Sequence, residues 1–442
     1  MKRAAVWGVL CVLAWAPATA QEVWEDELER ADEGVNTPLR KTLPNGIRVG
    51  IQQDAGAAVV VLTTRVQVGW AMDPPGLDQL AHIVEHAMFR PAEGEGPGYS
   101  ELIAKLGGHT NATTDADETV YTTIVPSRHL DTVLAIEARR FLRGLEQVSL
   151  GDLATEREIV RQEALQKAPY NREYRHLEAE LFPVGHPYHV DADADLKHLE
   201  RIRDASVVAF QREAYRPDVI SLGIAGDLDP HAAMKKVEAL FGPMPKPEHP
   251  AVSASVDRPP ARERRVLLES RAGNSTILLG WVVDGYGDAG SHRWRDIAPI
   301  LRIWLSGRLP RERGITHVSV RRRPFGALSI LTVDVRGVGR IDPDLVVSEL
   351  SWILSQFEAL GTHRDGLDSL REFREDATAS DWAGPVVNYD DPVVLARYLA
   401  DEPATSSGRA AVPESGLVHL VKKFLRLDRA VLVASLPPEV ER

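Results

Sequence analysis

The stretch Leu80-Ala81-His82-Ile83-Val84-Glu85-His86-Ala87-Met88-Phe89 carries the pentad His82-x-x-Glu85-His86. Two histidines four residues apart on a helix lie about 40° apart around the axis and about 6 Å along it, so both imidazoles face one side. That is the spacing of a pair of zinc ligands. Glu85 falls about 60° to the other side of His82, within reach of a water on the metal without ligating it. It is placed as a general base. Taken alone, the pentad also fits a surface helix that carries two histidines by chance, and a catalytic zinc needs a third protein ligand.

A second motif, Glu156-Arg157-Glu158-Ile159-Val160-Arg161-Gln162-Glu163, places Glu156 and Glu163 seven apart, on one helical face two turns from each other. Glu163 follows His86 by 77 positions. The bland alternative for both is a solvated acidic face. The pentad is the inverted form of the H-E-x-x-H zinc protease signature. With the two glutamates, the chain resembles the inverted zinc metallopeptidase family of pitrilysin, insulin-degrading enzyme and mitochondrial processing peptidase, and in size the short bacterial two-domain members. The resemblance implies one zinc ion per chain, held by His82, His86 and Glu163, with Glu156 as a helper carboxylate behind the ligands.

Other segments fit the same resemblance. Gly107-Gly108-His109-Thr110-Asn111-Ala112-Thr113-Thr114 leads to the β-branched run Thr119 to Pro126, a loop and then a strand. In the family, the residues matching Asn111 and Ala112 bind the substrate backbone as an added strand. Without the resemblance, Asn111 reads equally well as an ordinary turn asparagine. His109, His186 and His189 read as structural or solvated. One departure precedes the first ligand: family members usually have glycine where this chain has Gln79, a good helix former expected only to stiffen the start of the helix.

Residues 1–20 carry Lys2 and Arg3, an apolar run from Ala4 to Trp15 and Ala18-Thr19-Ala20, the pattern of a secretory signal. Export to the periplasm or beyond is expected. The single cysteine, Cys11, lies in this segment, so the remainder is expected to contain neither disulfide nor thiolate metal site. Loss of Lys2 and Arg3 takes the 52 basic residues to 50 against 64 acidic ones. Such an acidic balance argues against nucleic-acid and anionic-membrane binding. No later stretch has the length and apolarity of a membrane helix, so stable membrane insertion is not expected.

The expected layout is an N-terminal arm over 21–40, a zinc-bearing domain over 41–242, a proline-rich linker over 243–262 and a second domain over 263–442 without a metal site. The alternation of strands and helices in the two halves gives an α+β class. The resemblance adds two similar domains, each a mostly antiparallel sheet backed by helices, forming half of a clamshell. The second half also departs from the family. Active single-chain relatives have an Arg seven residues before a Tyr, groups that hold the substrate carbonyl; here Pro310 and His317 stand at those positions. Neither proline nor an unplaced histidine can be assumed to supply those donors.

Two readings of function follow. One is a zinc endopeptidase acting on extended peptides or unfolded polypeptides, dimeric with a metal-free homologous subunit that brings the absent donors. The other is a catalytically idle zinc-bearing scaffold or binding subunit of a larger assembly. Within the first, Arg311 or Arg313 with His317 could instead replace the donors locally.

Overall fold

The computed structural model describes residues 38–92, 94–192, 197–249, 251, 256–270, 273–284, 291–309, 313–326, 328–360, 393, 396, 399–400 and 414–438. The expected signal segment, most of the arm, and Pro310 and Arg311 lie outside them. The first half contains β1 (Leu39–Thr42), β2 (Arg48–Gln53), β3 (Val59–Val66), α1 (Leu80–Ala87), α2 (Tyr99–Lys105), β4 (His109–Thr114), β5 (Thr119–Pro126) and α3 (Leu130–Arg143). Then come α4 (Leu150–Leu181), α5 (Lys197–Arg201), α6 (Asp204–Ala214), β6 (Ile220–Gly226) and α7 (Pro230–Phe241). The last two residues of the expected arm, Leu39 and Arg40, belong to β1 and pair with Ile51 and Gly50.

The second half contains β7 (Arg264–Glu269), β8 (Asn274–Asp284), α8 (Ser291–Arg308), β9 (Ile315–Phe325), β10 (Leu328–Val338), α9 (Pro343–Leu360), α10 (Glu414–Phe424) and β11 (Val431–Leu436). Its sheet runs β7-β11-β8-β10-β9, and the first runs β1-β2-β6-β3-β5-β4. Counted from β2 and from β7, the two orders are the same. Each sheet has one parallel pair, β2 with β6 and β7 with β11, and is otherwise antiparallel. The chain is thus an α+β fold of two like sheets backed by helices.

Side-chain alternation along β3 decides which groups face which layer. Val60 and Leu62 enter the core beneath the helices with Ile83, Val84, Leu134 and Val237. Val61 points to the opposite face, where it meets Ala225, Ala396 and Leu399. Residues 197–201 and 204–214 form two separate helices. Arg203 is extended, and Arg157 on α4 binds the freed carbonyl of Ile202 at 2.6 Å and the Asp204 carboxylate at 3.1 Å.

Helix α4 is 32 residues long and serves both sheets. Its first half lies against α1, and its last turns pack on β8 and β11. Leu177 and Leu181 there join Leu278, Phe325, Ile330 and Val433 in a shared core, while the Tyr174 hydroxyl donates to Asp334 at 2.9 Å.

The opposite face of the first sheet has its own close fit. Gly50 and Gly223 are register partners on β2 and β6. A Cβ on Gly223 would stand 1.8 Å from the Ala396 carbonyl oxygen, and one on Gly50 2.6 Å from that of Leu399. Backbone sits where side chains would otherwise be. Gly223→Ala is expected to displace that segment at a cost of about 1–3 kcal/mol, read as a lower urea midpoint. Gly307→Ala on α8, where no atom lies within 4 Å of the added carbon, is the control and should be neutral or stabilising.

Candidate metal centre

The start of α1 is set by Asp73. Its carboxylate accepts from the amides of Gln79 at 2.8 Å, Leu80 at 3.2 Å and Ala81 at 2.8 Å, satisfying donors that a helix N-terminus leaves without partners. Closing the chain back onto Asp73 puts Gln79 at φ +78°, the one non-glycine residue with positive φ among those described. For an L side chain that conformation costs about 1–2 kcal/mol. Gln79 therefore does not stiffen a helix, as its type suggested; it stands just before one, in a conformation that glycine adopts freely. Its side-chain oxygen lies 3.0 Å from His82 Nδ1.

Ile83, Val84 and Ala87 anchor α1 in the core, which leaves the His82 and His86 rings on its open side with centroids 4.9 Å apart. Glu163 arrives from α4. Its carboxylate lies 3.8 Å from His82 Nε2 and 3.6 Å from His86 Nε2, and one donor atom from each of the three residues falls within 4.8 Å of the others. Zinc bonds of about 2.0–2.2 Å give a tetrahedron with edges of roughly 3.3–3.6 Å, so the three residues would have to draw together, one carboxylate oxygen moving toward both rings, to share an ion. Among the described residues, no other three His, Cys, Asp or Glu side chains meet in this way.

Each donor has a partner behind it. Gln79 faces His82 Nδ1; Glu156, one helical face below Glu163, faces His86 Nδ1 at 3.0 Å. Arg90 holds Glu156 at 2.5 Å and Asp152 at 3.0 Å. Lys167, one turn beyond Glu163, reaches its carboxylate at 2.9 Å. Glu85 is buried and accepts a 2.5 Å hydrogen bond from the Thr114 hydroxyl at the end of β4. Gln79 in its bonding role, Asp73, Arg90, Thr114 and Lys167 had not been singled out from sequence. Of these, Lys167, four residues beyond Glu163, and Gln79, three before His82, stand at helical spacing from their partners.

These surroundings set the charges. Burial, aided by the nearby His86, brings His82 down to about 4, so it is neutral at pH 7. Burial pulls His86 down too, but the Glu156 hydrogen bond and the charges of Glu85 and Glu163 outweigh it and leave it above the ordinary histidine value. Burial raises Glu85 against the opposing Thr114 hydrogen bond. Burial would raise Glu163 as well, yet Lys167 and the two histidines take it below the usual glutamate range.

The site opens into a cavity of about 1810 Å³, larger than the roughly 300–1,000 Å³ of small-molecule pockets. Asn111 and Ala112 line it from β4, the edge strand of the first sheet. Asn111 is exposed and Ala112 packs half-buried on the core. His186 and His189 also line the cavity, but His186 stacks on Phe182 and contacts the Asp257 carbonyl, and His189 contacts that of Phe182. His109 is exposed at the start of β4. His317 and Arg313 are exposed and do not line the cavity; Arg323, six residues along β9 from His317, does. At about 3.3 Å per residue, that separation is roughly 20 Å.

A histidine titration followed by NMR in the metal-free protein checks the electrostatics. Near pH 6 the His82 ring should be neutral and His86 charged, with the lower step near 4. Because the two are neighbours, the steps belong to the pair. Both rings titrating together near 6.5 would contradict the environments described.

Comparison with known proteins agrees with this architecture. Residues 48–182 match the family described as Insulinase (Peptidase family M16), and residues 201–314 match that described as Peptidase M16 inactive domain. The chain is 28% identical over 211 residues to insulin-degrading enzyme-like 1, peroxisomal, of Arabidopsis thaliana, covering 45% of this chain and 21% of that protein. It is 23% identical over 207 residues to mitochondrial-processing peptidase subunit beta of Blastocladiella emersonii, covering 46% of this chain and 44% of that one. The match therefore spans less than half the length of either relative. Among solved structures, a protease from Helicobacter pylori aligns with a TM-score of 0.71 at 16% identity, over 91% of this chain and 100% of that one, a likeness of fold. With two M16 segments in succession and the fold shared along nearly the whole chain, the protein belongs to the M16, or insulinase, family of peptidases.

Proposed function

We propose that the chain is a zinc-dependent endopeptidase that hydrolyses extended peptides or unfolded polypeptides. The observation that carries this reading is the convergence of His82, His86 and Glu163 within 4.8 Å, with buried Glu85 on the same helix. In this reading His82, His86 and Glu163 hold one zinc ion, and Glu156 fixes the His86 ring through Nδ1. The ion supplies Lewis acidity, taking the pKa of water toward about 7 and polarising a carbonyl. Glu85 accepts the proton of the attacking water and returns it to the amide nitrogen of the departing chain.

The substrate backbone docks along β4, which among the described residues has no strand on its outer edge, beside Asn111 and Ala112. Adding a strand favours extended peptide over folded protein. The signal pattern of residues 1–20 supports export to the periplasm or beyond.

A partner subunit of similar fold completes the site. Pro310 cannot donate, and the other expected donor, His317, lies on β9 away from the cavity. Mitochondrial-processing peptidase subunit beta is by its name one chain of an assembly. The same features also favour the second reading, a zinc-bearing chain that is idle and serves as a scaffold. Intact Glu85 favours the enzyme.

Three variants and one comparison test this. Glu163→Gln should lose most of its zinc by metal analysis, whereas Glu85→Gln should keep zinc and lose peptide cleavage. Full zinc in the first, or native turnover in the second, would sink the corresponding role. The lone chain should turn over peptides about 10²–10³-fold more slowly than the chain with its co-purifying partner, the cost of a lost carbonyl donor. A fast lone chain slowed by His317→Ala would contradict the two-subunit arrangement.

A further inference from the structure

We infer that Gln79 is a positioning residue for His82: its side-chain oxygen accepts the Nδ1 proton, which fixes the ring and leaves Nε2 bare on the side facing Glu163. The inference rests on the zinc reading of the site and adds a residue to it.

Three observations meet at this position. Gln79 Oε1 lies 3.0 Å from His82 Nδ1, and the Nε2 of the same ring lies 3.8 Å from Glu163 Oε2. An amide oxygen can only accept, so its neighbour nitrogen carries the proton and the other nitrogen is the free base. Second, the backbone at Gln79 is strained at φ +78°. The Asp73 carboxylate, bonded to the amides of Gln79, Leu80 and Ala81, over-determines that conformation. Glycine would meet the same backbone requirement without strain. A glutamine held there against its preference has a side chain with work to do, and among the described residues that side chain meets His82. Third, the arrangement matches that of the other ligand, where Glu156 stands 3.0 Å from His86 Nδ1.

The test separates a positioning role from a structural one. Gln79→Gly keeps the backbone conformation and removes the acceptor. Zinc affinity, measured by competition with a chromophoric chelator, should fall about 10–100-fold, while the melting temperature of the metal-free variant stays level or rises. Gln79→Glu, which retains an acceptor of the same reach, should hold zinc at least as tightly as Gln79→Gly does by tenfold. In metal-free protein labelled at histidine nitrogen, His82 should show the Nδ1-protonated tautomer, and Gln79→Gly should lose that preference. Native affinity in Gln79→Gly would overturn the assignment while the zinc reading stood. A fall in metal-free stability that accounts for the affinity loss would overturn it as well. A native chain that takes up no zinc would remove the zinc reading and this role together.

Discussion

Helix α4 has to satisfy two sheets and one small site at the same time. Its last turns are held in the core between the halves by Leu177, Leu181 and the Tyr174–Asp334 hydrogen bond. Its first half presents Glu156 and Glu163 to the two histidines of α1. The Glu163 carboxylate, 3.6 Å from His86 Nε2 and 3.8 Å from His82 Nε2, keeps that approach only while this long helix holds its tilt. The packing of β8 and β11 on one end of α4 therefore bears on the His82, His86 and Glu163 cluster at the other, and so does the second sheet, which adds no residue to that cluster.

The centre itself was legible wherever helical spacing determines geometry. A spacing of four from His82 to His86, and of seven from Glu156 to Glu163, are statements about one face of one helix, and such statements survive folding. Apart from the two glutamates that the family resemblance brings to the histidines, what pairs across elements is not legible from spacing. Thr114 meets Glu85 only because β4 ends beside α1, and Asp73 caps α1 only because Pro74, Pro75 and Gly76 turn the chain back. Gln79 departs from its helical propensity because its backbone, at φ +78°, is left-handed.

The fold shows the same division. Strands with β-branched runs, such as Val59–Val66 and Thr119–Pro126, stood out. The length of α4 did not, because it changes neighbours along its course and so carries no single apolar stripe. Strand β9 was hidden by Arg321, Arg322 and Arg323, which an edge strand with one open side accommodates. That strand also carries His317, and its course away from the cavity turns a sequence departure into a spatial one.

The central claim is that His82, His86 and Glu163 share a single zinc ion. Anomalous X-ray diffraction recorded on either side of the zinc absorption edge, from crystals of protein purified without added metal, tests it directly. The expected result is one peak per chain, at bonding distance from both Nε2 atoms and a Glu163 oxygen, that vanishes below the edge. A peak at some other cluster, or none at this one in protein that cleaves peptides, would contradict it.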